Sequence, residues 1–281
     1  MPIIDTKVWI RTFIEECQKN NRKRSATLQM EAIGGPLKSF FPHIPTKNLM
    51  NILLKQGLFE AEEWQDISMI EKREVQCDLW KIAQKELSLL VKRWDGPDCP
   101  VIILPISRKK RKTDEQPFEK NGLAFKEGMF LFLSSELSSG SLKAIFAHEY
   151  NHVCRLNRLN IPSEKMNLKE SLIIEGLGEY AVKQMAGEQF LAPWTGLYTL
   201  KERMKIWKKV FVPELLSKGT DQHQKFLYGT SSKMLPRWIG YHIGFHIVSS
   251  YVQKKGATSM KQLLSISADE FISQSAFKLD D

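Results

Sequence analysis

Two imidazoles and a carboxylate in the run His148-Glu149-Tyr150-Asn151-His152 follow the pattern H-E-x-x-H. On a helix, residues four apart share a face about one turn apart, so both rings can converge on one ion. Two neutral imidazoles make half of a tetrahedral zinc shell. Glu149 points beside such an ion rather than at it, where it can take a proton from a water held there. The chemistry this spacing allows is hydrolysis by an activated water. Leu142, Ile145, Phe146, Val153 and Leu156 keep a helical period around the motif, and neither Gly nor Pro interrupts the chain between Ser141 and Ile161. The spacing therefore predicts a helix.

A catalytic zinc site needs a third protein ligand and an open fourth position. The longer pattern H-E-x-x-H-x-x-G-x-x-H is absent, because Arg155 and Arg158 occupy the positions of its Gly and third His. Residues 167–184 read as the next helix, and there Glu175 lies between Leu172-Ile173-Ile174 and Leu177. A carboxylate in apolar surroundings needs a partner. A zinc ion is one such partner and a Lys or Arg is another; Glu175 is read as the third ligand, with Glu170, Glu179 and His242 next in line. Glu179, one turn after Glu175, could accept the free ring N–H of a ligating His. Cys154 lies roughly 200° around the helix from His152 and is excluded as a ligand.

A hydrolase of this kind also needs a donor for the developing oxyanion. Residues 235–251 (LPRWIGYHIGFHIVSSY) read as an apolar, aromatic helix with Tyr241 near one end. Tyr241 is the candidate donor, with His242 and Arg237 behind it. The alternative is a core helix in which Tyr241 only packs and His246 is a hydrogen-bonded core residue.

The elements that must hold these residues are mostly helical. Residues 5–20 carry Trp9, Ile10, Phe13, Ile14 and Cys17 at helical spacing, Gly34-Gly35-Pro36 is expected to break the chain, and Thr46 is expected to cap a short helix ended by Gly57. Residues 62–94 predict one or two helices stopped by Gly96-Pro97. Apolar runs at 101–104 and 129–133, with turn residues Lys126-Glu127-Gly128 before the second, predict a small sheet over the H-E-x-x-H helix. Its edge strand could pair with an extended peptide. The domain reading is a helical extension at 1–65 followed by one catalytic domain at 66–281.

A chain of 281 residues with 42% hydrophobic and 26% charged residues can bury a sizeable core and has ordinary globular composition. Its charged N-terminus excludes a signal peptide and it has no transmembrane stretch, so a cytoplasmic protein without membrane partners is expected. Cys17, Cys77, Cys99 and Cys154 have no C-x-x-C spacing and read as reduced thiols. The net charge of +9 has a local source in Arg108-Lys109-Lys110-Arg111-Lys112, read as a solvated loop between strands. It lacks the interleaved aromatics of a single-strand-binding surface, so no nucleic-acid partner is expected.

His148-Glu149-Tyr150-Asn151-His152, the segment Glu175-Gly176-Leu177-Gly178-Glu179-Tyr180 and the segment Pro236-Arg237-Trp238-Ile239-Gly240-Tyr241-His242-Ile243-Gly244 resemble the bacterial predicted zinc-dependent proteases of the YjaZ type, a family of unknown function, over about residues 66–275. The pair H-E-x-x-H and E-x-x-x-[DE] is similar to the gluzincin arrangement, except that Glu179 stands where Asp is usual. The resemblance implies an α+β, mostly helical, zincin-like fold with Zn2+ held by His148, His152 and Glu175, Glu149 as the base, and a peptide or protein substrate. A zinc-containing interaction or regulatory protein without catalysis is the alternative; it would close the site with a fourth protein ligand.

Overall fold

The computed structural model describes residues 3–19, 24–73, 79–108, 119–230, 232 and 234–279. It is mostly helical, with one small mixed sheet among the described residues. The chain divides into two compact units, Met1–Lys92 with Pro97–Glu149, and Arg93–Gly96 with Tyr150–Asp281. The division falls inside a single continuous helix, α7 (Ser139–Leu159), which carries the H-E-x-x-H run.

The first unit is built on the sheet. Strands β1 (Ile3–Ile4), β2 (Val101–Pro105), β3 (Lys120–Ala124) and β4 (Met129–Leu133) lie in the order β1-β2-β4-β3. β1 and β4 flank β2 in parallel, and β3 closes the other edge antiparallel to β4. Parallel pairing requires cover on both faces, and β2 and β4 are apolar and buried on both, as their continuous hydrophobic runs dictate. One face, with Ile102, Leu104, Phe130 and Phe132, shares a core with Phe13 and Ile14 of α1 (Lys7–Lys19), Leu49 and Leu53 of α4 (Thr46–Gln56), and Ile67 of α5 (Trp64–Arg73). The helices of the first sixty-five residues thus supply one side of the sheet's core.

Two local expectations fail there. No break occurs at Gly34-Gly35-Pro36: helical backbone continues through α2 (Ser25–Gln29), a π turn (Met30–Gly34) and α3 (Gly35–Leu37). Pro36 lies within this continuous helical backbone, just after the π turn. Gly34 lies against Thr46 and Met50, which leave little room for a β-carbon. Thr46 is the first residue of α4 rather than its cap; the flanking residue is extended Pro45, and no side chain caps that end. Gly57, at φ 132°, ends α4 as expected.

Helix α6 (Leu79–Trp94) ends before Asp95, whose φ is 53°. Arg108 opens the basic run, but it is not simply solvated: its backbone N–H donates to Glu63 (2.8 Å) and its guanidinium to Asp66 (2.7 Å). Lys109 to Lys112, the polar residues after them and Cys77 lie outside the described residues. Cys17, Cys99 and Cys154 are buried and unbridged.

The second unit is helical. Its main elements are the latter half of α7, α8 (Leu168–Met185), α9 (Leu200–Ile206), α10 (Thr220–Tyr228), α11 (Ile239–Lys255), α12 (Met260–Leu263) and α13 (Ala268–Gln274). α8 starts on Asn167, whose side chain accepts from the Glu170 N–H. α8 and α11 meet backbone to backbone at Gly176 and Gly244, where a β-carbon on either would collide with the other helix's main chain. No helix among the described residues is long and apolar enough to cross a membrane.

Candidate metal centre

α7 places His148 and His152 one turn apart, and α8 brings Glu175 to them. One donor atom from each of these three residues lies within 4.8 Å of the other two. His152 Nε2 and Glu175 Oε2 lie 3.4 Å apart. Zinc–ligand bonds of about 2.0–2.2 Å set tetrahedral donors about 3.3–3.6 Å apart, so this pair needs no movement to share an ion. Two imidazoles and one carboxylate are also the donor chemistry zinc prefers in sites that keep a position open. The residues therefore fit a zinc ion.

Glu149 is 6% exposed and lies against the sheet. A β-carbon at Gly122 would overlap its Cγ, Cδ and Oε1, so the absence of a side chain on β3 creates the space the carboxylate occupies. Gly122 pairs with Leu131 across the β3–β4 ladder, so this is the face opposite Phe130 and Phe132. The carboxylate is thus held against an edge strand, and the sheet covers α7 at this point.

The rest of α7 is held by polar residues that the sequence does not advertise. Arg155, 1% exposed, donates to the carbonyls of Leu264 (2.9 Å) and Ile266 (2.7 Å) and to Glu170 Oε2 (2.9 Å). Burial lowers its pKa and the Glu170 charge opposes that shift. Arg158 donates to the Trp94 carbonyl (2.9 Å), and Asn151 to Met260 Sδ (3.0 Å). Tyr150 stacks on Trp94, and Gly96 abuts both Tyr150 and Cys154. The two arginines at the Gly and third-His positions of the longer pattern are therefore struts for the helix. A buried Arg beside a Glu fifteen residues on is the signal that points to such a strut.

The reserve ligands have other partners. Glu170 holds Arg155, and Glu179, 2% exposed, accepts from the Ala192 N–H (2.5 Å). His242 donates from Nδ1 to the Trp194 carbonyl (3.0 Å), and His246 from Nε2 to the Thr195 carbonyl (3.0 Å). Burial drives both imidazoles down to about 4. His246 is half-buried rather than fully in the core, and this backbone carbonyl is its partner. A further buried pair, Ser171 Oγ and His223 Nδ1 at 2.7 Å, ties α8 to α10, and the His223 Nε2–H donates to the Ser217 carbonyl (2.9 Å). Both residues are buried, so the pair is a structural contact.

Tyr241 is not one of the three clustered donors. It lies in the first turn of α11, half-buried, with its ring 5.2 Å from Trp194 and 5.3 Å from both Tyr228 and Trp238.

Residues 79–273 match the model of the family described as Predicted Zn-dependent protease (DUF2268). The chain is 34% identical over 229 residues to the Uncharacterized protein YjaZ of Bacillus subtilis, covering 80% of this chain and 85% of that one. It is 24% identical over 141 residues to the Uncharacterized protein YjfC of the same organism, covering 47% of this chain and 46% of that one. No solved structure matches. With more than half of its length matched by the family model, the chain belongs to the predicted zinc-dependent protease family.

Proposed function

We propose that this chain is a zinc-dependent metallopeptidase that cuts peptide bonds with a water deprotonated by Glu149. The observation that carries this reading is the convergence of donor atoms from His148, His152 and Glu175 within 4.8 Å, with a buried carboxylate next in sequence to the first of them. Zinc held by these three residues would polarise the scissile carbonyl and lower the pKa of a water to near neutrality. Glu149 accepts that water's proton as its oxygen attacks the carbonyl carbon, and returns the proton to the leaving nitrogen as the C–N bond breaks. The Tyr241 hydroxyl donates to the carbonyl oxygen as its charge develops. β3, an edge strand that pairs only with β4 among the described residues, offers main-chain groups to an extended peptide. Among the described residues three donors cluster rather than four, which favours catalysis over a closed structural site.

Incubation of the zinc-loaded protein with an unfolded protein substrate, followed by mass spectrometry of new termini, tests this reading. New termini that vanish with a chelator and return with zinc are expected. No new termini in a zinc-loaded sample would refute it.

A further inference from the structure

The first turn of α11 opens onto an aromatic surface of which the proposed chemistry uses only the Tyr241 hydroxyl. Tyr241 touches three other rings, Trp194, Tyr228 and Trp238, and Tyr228 also packs on Trp238 at 5.1 Å. These rings are not core: Tyr228 is 41% exposed and the other three are half-buried. Leu197 and Leu200, just after Trp194, are 50% and 56% exposed.

The chain goes out of its way to build this surface. Trp238 is in the left-handed region (φ 62°, ψ 14°), which a bulky residue rarely adopts. Its N–H donates to the Tyr228 carbonyl (2.7 Å), and Gly229, at φ 73°, lets the chain pass against Pro236 where a β-carbon would collide. Trp194 is fixed just as firmly, because Glu179 holds Ala192 while His242 and His246 hold the carbonyls of Trp194 and Thr195. The rings are therefore presented by a rigid frame, as recognition sites require.

The surface is also close to the metal centre. α11 crosses α8 at Gly244 and Gly176, and Gly176 follows Glu175 directly. Tyr241 is about one turn of α11 from that crossing, which puts its backbone within about 15 Å of the Glu175 backbone. Charge narrows the occupant. The Arg237 guanidinium already lies over the Trp238 ring (5.6 Å), so a cationic side chain would meet repulsion there, whereas an uncharged ring would not.

Resting on the peptidase reading, we infer that Trp194, Tyr228, Trp238 and Tyr241 receive a large apolar or aromatic side chain of the substrate near the bond that is cut, and so set the specificity of cleavage. Wild type should favour a peptide with Phe beside the cut over its Ala counterpart by about ten- to a hundredfold in kcat/KM. Trp238→Asn keeps a residue that tolerates the left-handed backbone, and Tyr228→Ala alters an exposed position. Each should reduce the Phe-over-Ala ratio of kcat/KM to within about threefold of unity, in samples whose thermal unfolding shows them folded. An unchanged ratio, or equal losses on both peptides, would overturn the inference. A second arm titrates zinc-loaded Glu149→Gln protein with the same two peptides, followed by tryptophan fluorescence. Tighter binding of the Phe peptide supports the surface even if wild type cuts neither peptide, a result that would sink the peptidase reading alone; equal binding of the two peptides, or none, overturns the surface.

Discussion

Gly122 and Glu149 are in direct contact: the backbone of β3 occupies the place from which a side chain would push the carboxylate of α7 away. A base displaced by about 1 Å can lose around a hundredfold in rate. Gly122→Ala should therefore lower kcat by roughly ten- to a hundredfold with zinc content unchanged. Metal analysis and kinetics on one preparation check this, and wild-type turnover would mean that the carboxylate has room to spare.

Arg155 and Glu170 tie the helix of His148 and His152 to the helix of Glu175. Removing one partner leaves a buried charge and, for Arg155, two backbone carbonyls without their donor. Arg155→Met should cost about 3–5 kcal/mol, read as a lower urea midpoint. A loss below about 1 kcal/mol would show that the pair does little to hold the two helices.

His242 and His246 give the protein an acid sensitivity. Both folded pKa values lie at about 4, below the ordinary imidazole value of 6.5, with burial as the first cause; each faces the other, Arg203 adds repulsion at both, and Glu202 partly offsets it at His242. Between those values the unfolded chain binds more protons, so their contribution is complete above about pH 6.5 and is lost as pH falls towards 4. His246→Gln keeps a donor for the Thr195 carbonyl but cannot titrate. Its stability should fall less steeply than wild type across this window, by up to about 1.4 kcal/mol per pH unit. Parallel curves would contradict the assignment.

Tyr241→Phe separates chemistry from packing. Loss of an oxyanion donor should lower kcat by roughly ten- to a thousandfold with KM nearly unchanged. A hydroxyl that serves only packing would instead change stability by around 1 kcal/mol and leave turnover alone. Steady-state kinetics and thermal unfolding on the same sample decide between the two.

The sequence makes the ligand spacing easy to read because H-E-x-x-H and a carboxylate set among Leu and Ile are local patterns, and locality is what a single chain displays. The helices of His148, Glu175 and Tyr241 follow from their apolar periods for the same reason. What the chain conceals is long-range. β1 has only two residues, Ile3 and Ile4, and is a strand because β2 is its neighbour. Gly34-Gly35-Pro36 reads as a break, yet the backbone there is helical, with Gly34 packed on Thr46 and Met50. Gly122, Gly176 and Gly244 carry no local signal of their role, yet each is small because another backbone or side chain needs its space. Arg155 and Arg158 are noticed in the sequence only as residues that break the longer motif, because their carbonyl partners lie more than sixty residues away.

In the proposed reaction, His148, His152 and Glu175 hold one zinc ion and Glu149 is the base. The most direct test is the zinc content of wild type, Glu149→Gln and Glu175→Ala after equilibration with zinc and removal of excess. The expected result is about one zinc per chain in wild type and in Glu149→Gln, and far less in Glu175→Ala. Wild-type protein that takes up no zinc, or a Glu175→Ala variant that keeps all of it, would contradict the account.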